Sequence, residues 1–443
     1  MKDILLKTKI GNFLGNDRNE IIELLNIKYA SCKRFEYAEI IDKYDEVDAR
    51  KKGPVSMQKR AFPEYEHLEV PERFFYHKEF REGIDFTYSE EDGLNLNIYM
   101  PKDKSNCPVI VFFPGGGFDS GGINESCFDA YNLAKKGNVI VLVQYRVGIF
   151  GYLTHEEIYK KYGRDGNFGL DDMVVSLKWV RKHIEEFNGD KNNITLMGQS
   201  AGAMSIQYLL CDKSNKDLFD KAILLSGGGL FPKFSLPRPY EKTREYWQEV
   251  ISLAGLSSFE ELKTAPAKVL LGAVDQQKTL RKDNTYNTMP VIDNYLIKGP
   301  IDKLIKDPIE LPLIIGYTNN DMFTVLLANI STKYAKKHHG YLYYFDVDAK
   351  GDDNQAFHSA ELRYIFGTLD KSWRPYDEKD HKISEIFMDY ITQFALTGNP
   401  NKEGLPTWDI YKNKPLRFNI DGVGYKKPKL IKLIKNTLKG DPK

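Results

Sequence analysis

Short apolar runs and longer amphipathic segments alternate along most of the chain. Residues 108–113 (PVIVFF) form a continuous apolar run between a polar segment and a glycine loop, which is typical of a parallel strand covered on both faces. Residues 170–187 place apolar side chains at spacings of three and four, as an amphipathic helix does. Further strands are predicted at residues 94–100, 139–143, 194–197, 222–225, 311–315 and 341–347, and a late helix at residues 383–396.

This order of elements predicts an α/β protein with a mostly parallel central sheet and helices on both faces. Residues 231–290 are more polar and helical, and we expect them to form a helical excursion over the cleft. The sequence has no linker, low-complexity segment or internal repeat, so a single domain spanning residues 1–443 is the simplest prediction.

Residues 192–210 (NNITLMGQSAGAMSIQYLL) carry the most informative pattern in the chain. A predicted strand runs directly into G-Q-S-A-G and then into a predicted helix, which is the arrangement of a nucleophile elbow. Gly198 and Gly202 suit a turn too tight for Cβ atoms, and Ser200 at its apex would expose Oγ. A G-x-S-x-G sequence also occurs at ordinary strand–turn–helix junctions, so the hypothesis requires a base, an acid and an oxyanion hole elsewhere.

A second glycine-rich segment, residues 114–118 (PGGGF), follows the apolar run at residues 108–113. It is either a flexible turn or a loop that directs backbone N–H groups at a ligand. A phosphate-binding loop is excluded because no Gly-Lys-Ser/Thr follows. Before a nucleophile elbow, the segment is better interpreted as an oxyanion hole, in which the N–H groups of Gly116, Gly117 and Ala201 would converge.

Histidine is the side chain best suited to take the serine proton, and the chain has eight. In this arrangement the chain order is serine, acid, histidine, which leaves His358, in a loop after a late strand, as the favoured base. Asp321 follows the strand at 311–315 and is the favoured acid; Asp293 and Asp346 are weaker alternatives. The other histidines after Ser200 are predicted to lie in charged, solvated stretches: His338, His339 and His381.

Charge and cysteine usage limit the class of binding partner and the cellular compartment of the protein. Lys and Arg total 63 and Asp and Glu total 62, a net charge of +1, which argues against a nucleic-acid partner. No apolar run is long enough for a signal sequence or a membrane span, and the four cysteines lie far apart, so we expect free thiols and a cytoplasmic location. The tail at 426–443 alternates lysine with apolar residues and favours a terminal helix packed on the body over membrane contact.

These motifs resemble those of the type-B carboxylesterases, the group that includes the cholinesterases, within the α/β-hydrolase fold. The resemblance is nearly end to end and covers residues 26–30, 91–98, 115–118, 144–151, 166–172, 357–362 and 395–401. It implies a serine esterase that works through an acyl-enzyme without metal or cofactor. It also implies a catalytic triad of Ser200, Asp321 and His358.

The chain departs from the family pattern at three positions. Gly93 replaces a cysteine, so the usual N-terminal disulfide cannot form. Gln199 replaces the usual glutamate before the nucleophile, which makes the cleft less negative and weakens the case for a choline-type substrate. Asp321 replaces the usual glutamate of the triad, so its loop must approach His358 more closely.

The expected partner is a small-molecule ester. The candidate substrate-contacting residues are Phe118, Gln199, Leu230 and Phe231. Ser226 resembles a family serine beside the triad and is expected to help hold Asp321, although an ordinary loop serine is an equal alternative. The alternative function is a non-catalytic binding protein on the same scaffold; such relatives typically lose the serine or the histidine, and this chain has both.

Overall fold

A 13-stranded sheet organises the part of the chain described in the structure, a computed structural model covering residues 2–62, 77–227, 237–281, 288–321, 323–428 and 433–434. The strands, including two short pairs outside the main sheet, are β1 (Lys2–Thr8), β2 (Gly11–Arg18), β3 (Ile21–Lys28), β4 (Ala30–Ser31), β5 (Glu39–Ile40), β6 (Glu46–Asp48), β7 (Val55–Ser56), β8 (Tyr88–Ser89), β9 (Asn95–Pro101), β10 (Cys107–Phe113), β11 (Val139–Val143), β12 (Gly189–Gln199), β13 (Lys221–Leu225), β14 (Leu313–Thr318), β15 (Tyr341–Phe345), β16 (Leu416–Asn419) and β17 (Gly422–Tyr425).

Helices pack around this sheet, and most of them lie between successive strands in the chain. They are α1 (His77–Phe80), α2 (Tyr131–Lys135), α3 (Gly148–Tyr152), α4 (Glu156–Tyr162), α5 (Phe168–His183), α6 (Ala201–Leu210), α7 (Tyr240–Leu253), α8 (Phe259–Thr264), α9 (Ala267–Leu280), α10 (Ile301–Leu304), α11 (Thr324–Lys337), α12 (Leu362–Phe366) and α13 (Glu378–Thr397).

The strand order is β1-β2-β3-β9-β11-β10-β12-β13-β14-β15-β16-β17, with β6 beside β2. The run from β11 through β16 is parallel. At the N-terminal edge β1, β2, β3, β9 and β11 pair antiparallel in that order, with β6 parallel to β2, and the final hairpin is antiparallel. The parallel strands therefore end at one edge of the sheet, where ligand sites of open α/β sheets lie. This architecture confirms the predicted fold class.

Successive residues of the central strands enter different hydrophobic cores. In β10, Val109 and Val111 belong to the core shared with α5, α6 and α11, and Ile110 and Phe112 belong to the core shared with α2, α12 and α13. Strand side chains alternate between faces, so an uninterrupted apolar run is needed where both faces are covered.

Helices α7, α8 and α9 build a third core with α3 and α4. Trp247 is fully buried in it and Leu262 and Val274 pack nearby. The expectation that residues 231–290 are helical holds over the described part. The excursion is amphipathic because one side of its helices closes this smaller core.

Two local features differ from the sequence analysis. The helix predicted at residues 170–187 begins earlier and changes to a 3₁₀ turn at its end, and Asn188, at φ 62°, closes it while Gly189 already starts β12. The sequence analysis did not predict the hairpin β16–β17, whose strands join through Ile420 and Asp421, with Gly422 directly after the turn. Most of the C-terminal tail lies outside the described residues.

Candidate active site

Ser200 lies at the sharp turn between β12 and α6. Its backbone is at φ 53° and ψ −123°, a conformation that residues other than glycine rarely adopt. A Cβ atom on Gly202 would lie 2.1 Å from the carbonyl oxygen of Phe113, and one on Gly198 would lie 2.6 Å from the Gly202 carbonyl carbon. Both glycines are therefore required for the close approach of strand and helix, as the sequence predicted.

The imidazole of His358 and the carboxylate of Asp321 are brought together by loops at the ends of adjacent strands. His358 follows β15 and Asp321 follows β14, and Nδ1 lies 2.5 Å from Oδ1. Both side chains are buried, at 1% and 0% exposure. The second carboxylate oxygen accepts a hydrogen bond from the N–H of Thr318 at 3.0 Å. The network assigns the imidazole proton to Nδ1 and leaves Nε2 as an acceptor.

Asn319, which the sequence analysis did not consider, crosslinks the loops that carry these two groups. Its Oδ1 accepts from the N–H of Ala356 at 3.3 Å, and its Nδ2 donates to Asp346 at 2.6 Å. The next residue, Asn320, donates its N–H to the carbonyl of Ala356 at 2.9 Å. These bonds bring the acid loop close to the histidine loop, as the shorter aspartate requires.

The two alternative acids have other roles. The carboxylate of Asp346 accepts from Asn319 and from Nε of Arg417 at 2.6 Å. Asp293 accepts three backbone N–H groups of the turn that follows it, from Tyr295 to Ile297. Neither environment resembles that of Asp321, which faces the imidazole.

Gln199, the residue before the serine, contacts the other side of the imidazole. Its Nε2 lies 3.0 Å from Nε2 of His358, and its side chain is nearly fully buried. A Cβ atom on Gly115 would lie 2.4 Å from Oε1 of Gln199 and 2.9 Å from Cβ of Ser200. The glycine loop, the elbow and the imidazole therefore meet at one place.

The glycine loop adopts conformations that favour glycine. Gly116 is at φ 128° and Gly117 at φ 62°. The carbonyl of Gly116 accepts the N–H groups of Asp119 and Ser120 at 3.1 and 3.0 Å, so the loop folds back on itself. Ala201 is the first residue of α6, and its N–H has no acceptor within the helix. The glycine conformations and the unused N–H at the start of α6 are compatible with an oxyanion hole, and the assignment stays a prediction.

Gln58 supports the end of this loop from the side. Its Nε2 donates to the carbonyl of Gly121 at 3.0 Å and its Oε1 accepts the N–H of the same residue at 2.9 Å. The ring of Phe118 packs edge-on against Tyr152, with centroids 5.6 Å apart, in the core shared with α5 and α6. The ring of Phe118 therefore supports the loop from within the protein, and its contact with substrate stays a prediction.

Ser226 contacts a residue that sequence reasoning missed. Its hydroxyl donates to Glu361 at 2.5 Å instead of holding Asp321, and Tyr343 donates to the same oxygen at 3.2 Å. Glu361 is fully buried, and burial, together with the negative charge of Asp321, raises its pKa to about 7. The available signal was its position three residues after His358.

Several other predictions have defined outcomes. Leu230 and Phe231 lie outside the described residues. His338 is buried and contacts Glu310 at 3.2 Å, so the prediction that it is solvated was wrong. All four cysteines are free. Across the described ranges, no three His, Cys, Asp or Glu side chains are grouped so as to hold a metal ion, and none of the described helices is long and apolar enough to cross a membrane.

Comparison with known proteins decides the family. The carboxylesterase family model matches residues 2–339 and 322–422. The chain belongs to the carboxylesterase family. It is therefore a carboxylic ester hydrolase of the α/β-hydrolase fold, and the resemblance found in the sequence is confirmed.

Relatives of this carboxylesterase include bacterial and mammalian esterases. The para-nitrobenzyl esterase of Bacillus subtilis is 28% identical over 476 residues, and the match covers 92% of each chain. Human carboxylesterase 5A is 28% identical, with 75% of this chain and 70% of that one covered. A solved structure of a thermophilic PNB esterase superposes with a TM-score of 0.82 at 25% identity, covering 98% of this chain and 99% of that one.

Proposed function

We propose that this carboxylesterase hydrolyses neutral carboxylic esters through an acyl-enzyme formed on Ser200. The observation that carries the proposal is the buried Asp321–His358 pair at 2.5 Å, whose imidazole also contacts the residue next to Ser200. A serine hydroxyl is a weak nucleophile, so a base beside a strained elbow is the arrangement that activates it.

In the proposed reaction, Nε2 of His358 takes the Ser200 proton as Oγ attacks the ester carbonyl carbon. Asp321 keeps the Nδ1–H oriented and stabilises the imidazolium. The N–H groups of Gly116, Gly117 and Ala201 would stabilise the oxyanion, and one such donor typically contributes about 3 kcal/mol. His358 then protonates the leaving alcohol, and water, activated in the same way, releases the acid.

The neutral amide of Gln199 favours uncharged esters as substrates. A carboxylate at this position would add a negative charge beside the reacting atoms, which suits cationic alcohols. The PNB esterases among its relatives are named for a nitrobenzyl ester, and a neutral aromatic ester is a reasonable first probe. A cytoplasmic location stays a prediction, based on four separated free thiols.

Organophosphate labelling tests the nucleophile. We expect diethyl p-nitrophenyl phosphate to add one diethylphosphoryl group to the intact protein and to abolish p-nitrophenyl acetate hydrolysis. Ser200→Ala should remain unlabelled and inactive, and Ser205→Ala, on the helix that follows, should label normally. An adduct that persists in Ser200→Ala would assign the reaction to another residue.

Asp321→Asn should reduce kcat by about 10⁴-fold, as in serine proteases.

A further inference from the structure

The side chain of Gln199 is packed between the glycine loop and the imidazole of His358. Its amide nitrogen lies 3.0 Å from Nε2 of His358, and its amide oxygen lies where only a glycine at position 115 leaves space. Gln199 is 2% exposed and His358 1%. The amide is therefore held against the imidazole by packing on both sides.

The direction of this hydrogen bond follows from the opposite side of the ring. The Nδ1–H group donates a hydrogen bond to Asp321, so the neutral imidazole presents a lone pair at Nε2. An amide N–H can donate to that lone pair. Once Nε2 is protonated, the same N–H group would face another N–H, and the contact becomes unfavourable unless the amide turns.

Nε2 is also the atom that must receive the proton of Ser200 in the proposed reaction. A neutral imidazole nitrogen has one lone pair, so the Gln199 amide and the Ser200 hydroxyl compete for it. The two residues are neighbours in the chain. A turn about the terminal torsion of Gln199 exchanges its amide nitrogen and oxygen in the same space, and would release the Nε2 lone pair while the elbow stays in place.

We propose that Gln199 is a positioning residue that occupies Nε2 of His358 in the resting enzyme and yields this nitrogen to Ser200 at each acylation. This inference rests on the proposed function. Among the described residues, the ionisable groups that face the imidazole are Asp321 and Glu361, both carboxylic acids on the loops after β14 and β15. They are the same in every Gln199 variant, so Gln199→Met, which adds no charge, isolates the contribution of the amide.

The pH profile of kcat/KM for p-nitrophenyl acetate tests this assignment. Gln199→Glu replaces a donor with a carboxylate that stabilises the imidazolium, so its acidic limb should move to higher pH, with at least a tenfold lower fraction of the plateau rate at pH 5.5. Gln199→Met, which removes the donor but keeps the shape, should fall between it and the wild type. Gln248→Glu, the same change on the exposed face of α7, should leave the limb in place.

The outcomes separate this inference from the proposed function. If Ser200 takes the organophosphate but the acidic limb of Gln199→Met coincides with that of the wild type, Gln199 has only a structural role and the inference is wrong, because the added charge of Gln199→Glu shifts the limb in either case. If Ser200 is not labelled, the proposed function itself fails. Should Gln199→Glu fold poorly, the comparison of Gln199→Met with the wild type still tests the inference, which requires the acidic limb of Gln199→Met to lie at higher pH.

Discussion

Glu361 is a buried carboxyl group beside the proposed triad that the reaction does not use directly. Oε1 accepts hydrogen bonds from the hydroxyl groups of Ser226 and Tyr343, and Oε2 is buried without a hydrogen-bond partner among the described residues. Ionising a group in this position is unfavourable, because burial and the nearby Asp321 both oppose a second negative charge. The folded protein therefore holds this proton more tightly than the unfolded chain does.

The sign of the resulting pH dependence is fixed by this pKa. The pKa of Glu361 is about 7 in the folded state and 4.5 ordinarily. The folded state is therefore favoured by its tighter proton binding at low pH, and this contribution to stability is lost as the pH rises from 4.5 to about 7. Glu361→Gln removes the titration, and its free energy of unfolding relative to wild type should rise by about 2–3 kcal/mol from pH 5 to pH 8. Urea unfolding at both pH values measures it, with exposed Glu403→Gln as control; parallel profiles would contradict the assignment.

At the scale of elements, the elbow depends on how closely β12 and α6 approach the neighbouring strand. The first turn of α6 crosses over the end of β10, and Gly202 is the contact point. A helix that starts directly after a strand has no loop to absorb a larger side chain. The packing of β12, α6 and β10 therefore fixes the position of Ser200.

Gly202→Ala tests this dependence. Its Cβ would lie 2.1 Å from the Phe113 carbonyl oxygen, so the helix has to shift. We expect a loss of about 2–3 kcal/mol in stability and a fall in kcat of roughly 100-fold, because Ser200 moves with the helix. Gly299→Ala, where a Cβ meets nothing within 4 Å, is the matched control. Unchanged kcat in Gly202→Ala would show that the elbow tolerates the shift.

At the scale of the whole molecule, the helical excursion is attached to the active-site loops through charged side chains. Lys278 on α9 lies 2.7 Å from Asp119, which directly follows the glycine loop, and Lys59 pairs with Asp275 on the same helix. Burial raises the pKa of Asp119, but the charges of Lys278 and Lys59 together lower it below its usual value. The excursion thus contacts the loop that is proposed to bind the oxyanion.

Lys278→Met should loosen this connection. We expect a severalfold fall in kcat for p-nitrophenyl acetate and at most about 1 kcal/mol lost in global stability, because the lysine is partly exposed. Lys263→Met, which removes an ion pair within α8, is the control and should leave kcat unchanged. Equal kcat values in the two variants would mean that the ion pair does not position the loop.

The sequence by itself determined the elements whose residues are neighbours in the chain. The apolar run of β10 is readable because both faces of that strand are buried, and the elbow is readable because strand, glycines and helix adjoin. The order of Ser200, Asp321 and His358 along the chain, together with the positions of the last two after predicted strands, selected the two groups that the structure places 2.5 Å apart. These signals are local, or need only the order of the parallel strands.

Tertiary structure alone decided the contacts between distant segments. The bond between Gln199 and His358 joins residues 159 positions apart, and that between Ser226 and Glu361 joins residues 135 apart. Their partners depend on which strand ends share an edge and on small differences in loop approach. The hydrophobic periodicity of the chain does not predict these contacts, because the residues next to Gln199 or Ser226 in the sequence would allow several different hydrogen-bond partners.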